Sequence, residues 1–392
     1  MADRLVLRGG LVFDGTGAEP AVLDVAVADG LIVEVGTDLA GDRTVELAGH
    51  GLLPGFVDCH VHVMVSTLDL AATATTAPSY RLLQATRNLR RTLAAGVTTA
   101  RDADGADAGL RQALADGLVA GPRLQVAIAM LSQTGGRGDH WLPAGFALPA
   151  FDVHAGRPDG IADGPDEVRR MARRLIRAGA DVLKVAVSGS ALGPAGNRSR
   201  GQYRADELAE VVAEARAAGL GVMAHSHSAA GAALAVAAGV RSIEHGSELD
   251  QATIASMAER GTWLVPTLQA SRTVSAEFAE QHRDSVRRAH RAGVRIAMGS
   301  DSGVTLHGAN LAELAALTEA GLSDLQALAA GTSAGAELLG LAAELGTVEA
   351  GKRADLVVVR DGPLPVAGLP DRLVAVLQAG RLVAGRLPQD AP

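Results

Sequence analysis

Short alternating stretches mark both ends of the chain. Leu5-Val6-Leu7-Arg8 runs through Gly9-Gly10 into Leu11-Val12-Phe13. Asp24 to Ala28 alternates, turns at Asp29-Gly30 and continues as Leu31 to Val35, which is a hairpin pattern. Thr44 to Leu47 fits a further strand. At the far end Ala354 to Arg360 reads as a strand, and Leu373 to Gln378 turns at Ala379-Gly380 into Arg381 to Ala384. Chain termini often lie close together, so the two sets can pair in one small sheet domain.

Between them short apolar runs alternate with helical stretches, the pattern of parallel βα units. Gly96, Gly179, Gly219, Gly239, Gly261 and Gly293 each close a helix just before a strand. The expected strands are Gly55–Val63, Val97–Arg101, Leu124–Ala129, Val182–Val187, Gly221–His225, Ser242–His245, Trp263–Pro266 and Arg295–Ser300. Strands each followed by a helix or long loop suggest an α/β fold, a (β/α)8 TIM barrel. An open doubly wound sheet is the alternative, but no Gly-rich phosphate fingerprint supports it. Leu131 to Pro165 and Ser188 to Tyr203 are loops of the length usually given to function.

Composition narrows the partners. The 392 residues are 48% hydrophobic and 20% charged, enough apolar content for a large core. The net charge of -8 argues against nucleic acid. A single cysteine, Cys59, leaves no disulfide framework. MADRLVLRGG lacks the apolar core of a signal peptide, and Ala229 to Val240 is too short to span a bilayer. The expectation is a cytoplasmic protein acting on a small molecule, with no membrane partner.

The chemistry concentrates at expected strand ends. In Asp58-Cys59-His60-Val61-His62, alternation points His60 and His62 to one side. Alone, this pair equally fits two hydrogen-bonded core histidines. His225 ends strand five, His245 ends strand six and Asp301 follows strand eight, all at the face where barrels place active sites. Nitrogen and carboxylate ligands without thiolate suit zinc, and less often manganese, cobalt or nickel. Lys184 stands inside an apolar strand, where an unpaired lysine is anomalous. Alone it reads as a lysine snorkelling to the strand end. A neutral amine there could also take up carbon dioxide as a carbamate able to bridge two cations.

Taken together these residues resemble the amidohydrolase superfamily. Gly51 to His62 is similar to its opening signature. Lys184, His225, Ile243-Glu244-His245-Gly246, Gly299-Ser300-Asp301 and Gly346 to Val358 continue the match. The resemblance implies a barrel at 55–342 and a composite β-sandwich from 1–54 and 343–392. It implies two divalent ions, zinc first: His60, His62 and Asp301 on one, His225 and His245 on the other, and carboxylated Lys184 between them with a hydroxide. Asp301 would act as general base and then acid, and His227 would steady the carbonyl oxygen.

Thr134 to Trp141 resembles a loop of the prolidase-like branch, which often has His where Arg137 stands. Arg137 or His140 would hold a substrate carboxylate, with Tyr203, Arg198 and His307 as further candidates. The expected reaction is cleavage of a dipeptide or N-acyl amino acid. Cyclic amides, lactones and xenobiotic or toxin amides are alternatives, as is a non-catalytic metal scaffold. Such barrels are commonly homo-oligomers. Arg169, Arg170, Arg173, Arg174 and Arg177 are expected on a solvated helix face, and His282 and His290 on a surface helix. Trp263 is expected to pack the barrel or wall the pocket.

Overall fold

A computed structural model describes residues 3–142, 144–148, 150–192 and 198–388. The first strands are β1 (Leu5–Val12), β2 (Ala21–Ala28), β3 (Leu31–Gly36), β4 (Arg43–Glu46) and β5 (His50–Pro54). Then come β6 (Phe56–Val61), β7 (Val97–Asp102), β8 (Arg123–Val126), β9 (Met130–Leu131) and a small hairpin, β10 (Trp141–Leu142) and β11 (Phe146–Ala147). The rest are β12 (Val182–Ala186), β13 (Gly221–Ser226), β14 (Ser242–His245), β15 (Trp263–Val265), β16 (Leu356–Arg360), β17 (Leu373–Gln378) and β18 (Arg381–Gly385). The helices used below are α1 (Leu70–Thr75), α2 (Pro78–Ala94), α3 (Ala108–Ala115), α4 (Gly164–Arg177), α5 (Ala205–Ala217), α6 (Ala229–Ala238), α7 (Gln251–Arg260), α8 (Leu268–Ser271), α9 (Ala276–Arg291) and α10 (Ala312–Glu319).

The two ends of the chain meet in one mixed sheet, ordered β18-β17-β16-β5-β1-β2-β3, with β4 parallel to β1. β16 lies antiparallel on β5, with Leu356 opposite Pro54 and Arg360 opposite His50. Its inner face buries Leu7, Val25, Leu52, Leu356 and Leu377. Asp355, beside β16, pairs with Arg123 of β8 and so ties this sheet to the central strands.

The central strands are parallel, in sheets β6-β7-β8 and β15-β14-β13-β12-β9. One stretch of chain serves both sheets: β8 pairs with β7, and β9 just beyond it pairs with β12. Ile128 between them has φ 70°, a rare conformation for a β-branched residue, so the expected strand Leu124–Ala129 ends early at Val126 and pairing resumes only beyond it in β9. Expected strand eight differs more. Residues 295–300 form no ladder, yet Leu264 N–H donates to Arg295 O, Cys59 N–H to Met298 O and His62 N–H to Ser302 O. The segment thus lies between β15 and β6.

Helix stops follow the sequence. Gly239 and Gly261 close α6 and α7 at φ 94° and 67°. The arginine-rich α4 faces α5, where Arg169 and Arg173 grip Glu210 and Glu214 with two nitrogens each. The surface reading of that face stands, with helix-to-helix ion pairs added. Trp263 is buried under the Arg295 guanidinium, 3.8 Å from its ring centre. Among the described residues no helix is long and apolar enough to cross a membrane.

Candidate active site

The HxH segment ends β6, a strand buried on both faces. Cys59 turns toward Val265, Ala297 and Ala336, while His60 turns toward the site. The Gly-Ser-Asp-Ser-Gly segment packs directly on it. A Cβ at Gly299 would fall 2.8 Å from His60 Cβ and 2.4 Å from Val265 Cγ1, so the backbones approach only because residue 299 has no side chain. Asp58 stitches the two segments. Its carboxylate accepts from Ser300 N–H at 3.0 Å, Ser300 Oγ at 2.5 Å and Asn310 Nδ2 at 2.8 Å.

Five imidazoles converge here, each held at one nitrogen. His60 Nδ1–H donates to Glu244 Oε2 at 2.7 Å, and His62 Nδ1 meets Asp104 O at 3.2 Å. His245 Nδ1 meets Thr267 Oγ1 at 2.7 Å, and His227 Nδ1 meets Ser247 Oγ at 3.0 Å. His225 is reversed: its Nε2 meets Gly189 O at 3.2 Å and Nδ1 is left over. Two groups result, His60–His62–Asp301 and His225–His227–His245, with ligand atoms in each within 4.8 Å of one another. His227 therefore stands beside the two histidines expected as ligands, stacked on His245 at 4.7 Å.

Electrostatics favours an ionised Asp301 and neutral rings at four of the five histidines; at His62 burial lowers the pKa, but Asp301, Asp102 and Asp104 outweigh it and raise the pKa above the ordinary value. Burial pushes the His60 imidazolium pKa down to about 4, with the Lys184 charge adding to it. Burial, His282 and Arg137 push His227 down to about 3. Burial and neighbouring imidazoles hold His225 and His245 well below the ordinary range. Burial alone would raise Asp301, but His62, His60 and Lys184 outweigh it and hold the carboxyl low. Asp301 Oδ1 lies 3.3 Å from His62 Nε2 and 3.6 Å from His60 Nε2 and accepts no well-aligned hydrogen bond.

Lys184 is buried in β12 with no hydrogen-bond partner for Nζ, and burial pulls its pKa down to about 8. Clustered imidazoles, a free carboxylate oxygen and an unpartnered amine make a poor core. They do make a donor set for divalent cations, and that chemistry fits the metal the fold implies.

Beneath the site lies a charged support that the sequence did not reveal. Arg101 of β7 donates to Cys59 O at 2.7 Å and to Glu244 Oε1 at 3.0 Å, and Ser242 Oγ reaches the same oxygen at 2.5 Å. Burial opposes ionisation of Glu244, but Arg101 and His60 overcome it and bring the pKa to about 2. The pair fixes the His60 ring so that Nε2 faces the site. The signal was present as a lone arginine in an apolar strand and as the glutamate of Ile243-Glu244-His245.

His282 corrects an expectation. It is buried rather than on the surface, because α9 packs its ring beneath β14, where Nε2–H donates to His245 O at 2.8 Å. His290 is half-buried.

The site forms the floor of a cavity of about 800 Å³. Arg137 and His140 line its wall, as expected, and Arg137 forms no ion pair among the described residues. Two other candidates do not reach it. The Tyr203 side chain is buried under α4, with Oη donating to Ala162 O at 3.2 Å. His307 turns its Nε2 to Val65 O at 2.8 Å and leaves the wall to Val65. Arg198 sits at the edge, paired with Glu248 at 3.0 Å and lying over the Phe278 ring.

A buried cluster of imidazoles with one carboxylate and one amine, at the strand ends of an α/β fold, is a donor set that could hold metal ions at a hydrolytic centre. Comparisons with known proteins agree. The amidohydrolase family model matches residues 52–382, and the chain belongs to that family. It is a hydrolase acting on carbon–nitrogen bonds. The ochratoxinase of Aspergillus niger is 30% identical, over 97% of this chain and 86% of that protein. The crystal structure of a Xaa-Pro dipeptidase with bound methionine is 28% identical with a TM-score of 0.88, over 97% of this chain and 99% of that one. A prolidase complexed with N-methylphosphonate-L-proline is 32% identical with a TM-score of 0.88, over 98% and 100%.

Proposed function

We propose that this chain is a binuclear metal amidohydrolase that releases an amino acid from the amide of a dipeptide or N-acyl amino acid. The observation that carries the reading is the placing of Arg137, an unpaired guanidinium, on the wall above the two histidine groups and Lys184. A cation there suits the carboxylate of the leaving amino acid, which a guanidinium can grip with two parallel hydrogen bonds. The names of the prolidase and ochratoxinase relatives are in keeping with it.

In this reading the strand segments from β6 to 295–302 close into a (β/α)8 barrel spanning 55–342. Residues 1–54 and 343–392, joined in the one mixed sheet, would fold over on themselves as the composite β-sandwich beside it. His60, His62 and Asp301 would hold one ion, and His225 and His245 the other. Lys184 would lie between them as a carbamate: an amine with a pKa of about 8 is partly neutral near pH 7, and the neutral form adds carbon dioxide with release of one proton. When bound, zinc or a similar divalent ion polarises the scissile carbonyl and brings the pKa of water from about 15.7 toward neutrality.

The side chains do the rest. Asp301, ionised at neutral pH, accepts the proton of the attacking water on Oδ1 and delivers it to the departing nitrogen. His227 stays neutral. With the Ser247 hydroxyl donating to Nδ1, its proton sits on Nε2 and serves the carbonyl oxygen as charge develops there. His140 lies beside Arg137 and is kept neutral by burial and by that cation.

The test is amine release from a library of dipeptides and N-acyl amino acids with zinc-loaded protein in bicarbonate. Turnover of substrates sharing a C-terminal residue is expected. Silence across the library with zinc bound would move the function to cyclic amides, lactones or xenobiotic amides.

A further inference from the structure

The charges along the cavity wall are unevenly placed. Among the described residues, the lining carboxylates are Asp104, Asp139 and Asp301. Asp301 belongs to the floor. Asp104 follows β7 and is paired with Arg157 at 3.2 Å. Asp139 is in the loop after β9 and accepts the Gly135 N–H at 2.7 Å. Both flank Arg137, on the side assigned to the leaving amino acid.

The order of strands around the closed barrel is β6, β7, β8/β9, β12, β13, β14, β15 and 295–302. The loop after β9 and the loop after β15 are therefore four places apart and face each other across the site. The second wall holds Ala270, Ser271, Val274, Phe278 and His282, none of them a carboxylate. The His282 Nε2–H is spent on His245 O, and Nδ1 has no partner. Behind this wall the Glu313 carboxyl is taken up by the Leu268 and Gln269 N–H groups, and Glu248 is paired with Arg198, whose guanidinium lies over Phe278. Ser190, Ala191 and Leu192 also line the cavity and carry no charge.

A free dipeptide bound with its carboxylate on Arg137 would place its terminal ammonium against this wall. The ammonium would lose its hydration and find no counter-charge, a costly exchange. An acyl chain loses nothing there and covers Val274 and Phe278. We infer that the natural substrate is an N-acyl amino acid with an uncharged acyl group, and that free dipeptides are disfavoured. The inference rests on the amide-hydrolase reading above and selects between its two substrate classes.

The experiment compares propionyl-X with glycyl-X for a set of amino acids X. The two members of each pair have the same shape and differ by a methyl in place of the ammonium. Turnover is measured with the zinc-loaded protein, and affinity by calorimetry with the zinc-loaded Asp301→Asn protein. The expected result is a preference for propionyl-X of at least about tenfold in both, a fraction of the cost of an uncompensated buried charge. Val274→Asp, which puts a carboxylate on the wall, should shift the ratio toward glycyl-X by about tenfold. Glycyl-X bound and cleaved as well as propionyl-X would overturn this inference and leave the hydrolase reading intact. Neither class bound nor cleaved for any X would overturn both.

Discussion

Every imidazole in the site is committed at one ring nitrogen, and that commitment decides what the other can do. Glu244, Asp104 and Thr267 each hold an Nδ1 and turn Nε2 of His60, His62 and His245 to the site. His60 and His62 are held by a carboxylate and a carbonyl and so offer a lone pair at Nε2, whereas His227, like His245, is held by a hydroxyl that can donate as well as accept, so its free nitrogen can carry a proton. On this account His227→Ala loses about a hundredfold in kcat, the scale of one oxyanion donor, and keeps its zinc content. Zinc content by atomic absorption checks it; loss of one equivalent would make His227 a ligand instead. The grouping of His60 with His62 could be read at this scale because strand alternation fixes which side chains share a face. His282 could not be read, since its burial depends on how α9 lies against β14, which no local pattern encodes. Tyr203 and His307 misled for a related reason: both follow loops whose course is set by tertiary contacts.

The elements carry strain at the site and compensate for it. His245, Thr267 and Asp301 all have φ between 53° and 68°, a conformation unfavourable for side-chain-bearing residues. Thr267 is kept there by the segment that follows. Glu313 of α10, wholly buried, accepts Leu268 N–H at 2.6 Å and Gln269 N–H at 2.8 Å. It thereby clamps α8, and with it the hydroxyl that orients His245. Burial raises the Glu313 pKa from 4.5 to about 8, with Asp58 adding to the rise. Between those values the folded chain keeps a proton that the unfolded chain has shed. This group's stabilising contribution therefore falls as pH rises from about 4.5 to about 8 and levels off above that. Glu313→Gln should remove that part of the slope. Thermal midpoints of both proteins at several pH values between 5 and 8 measure it, and parallel curves would refute the assignment. The clamp was not legible in the sequence, which brings residues 268 and 313 together only through folding. Strand eight was legible in position but not in kind: 295–300 runs where a strand was expected and bonds to neighbours on both sides without forming a ladder.

At the scale of the molecule, the candidate site is gathered from positions as far apart as His60 and Asp301, while one sheet joins the two ends of the chain. The meeting of the ends was legible because both carry short alternating strands with Gly turns. The single mixed sheet, and the Arg123–Asp355 tie beneath the central strands, were not. In the proposed reading the cavity would join an uncharged acyl wall to a cationic carboxylate wall across a floor of metal ligands, with Asp301 the side chain on which hydrolysis turns. The direct test is kcat of the zinc-loaded protein and of zinc-loaded Asp301→Asn on the best amide found, with zinc content measured for both. The account predicts a loss of at least about a hundredfold, the lower range for a general acid–base group. Turnover by Asp301→Asn within about threefold of the parent would contradict it, since general acid–base catalysis contributes far more than that.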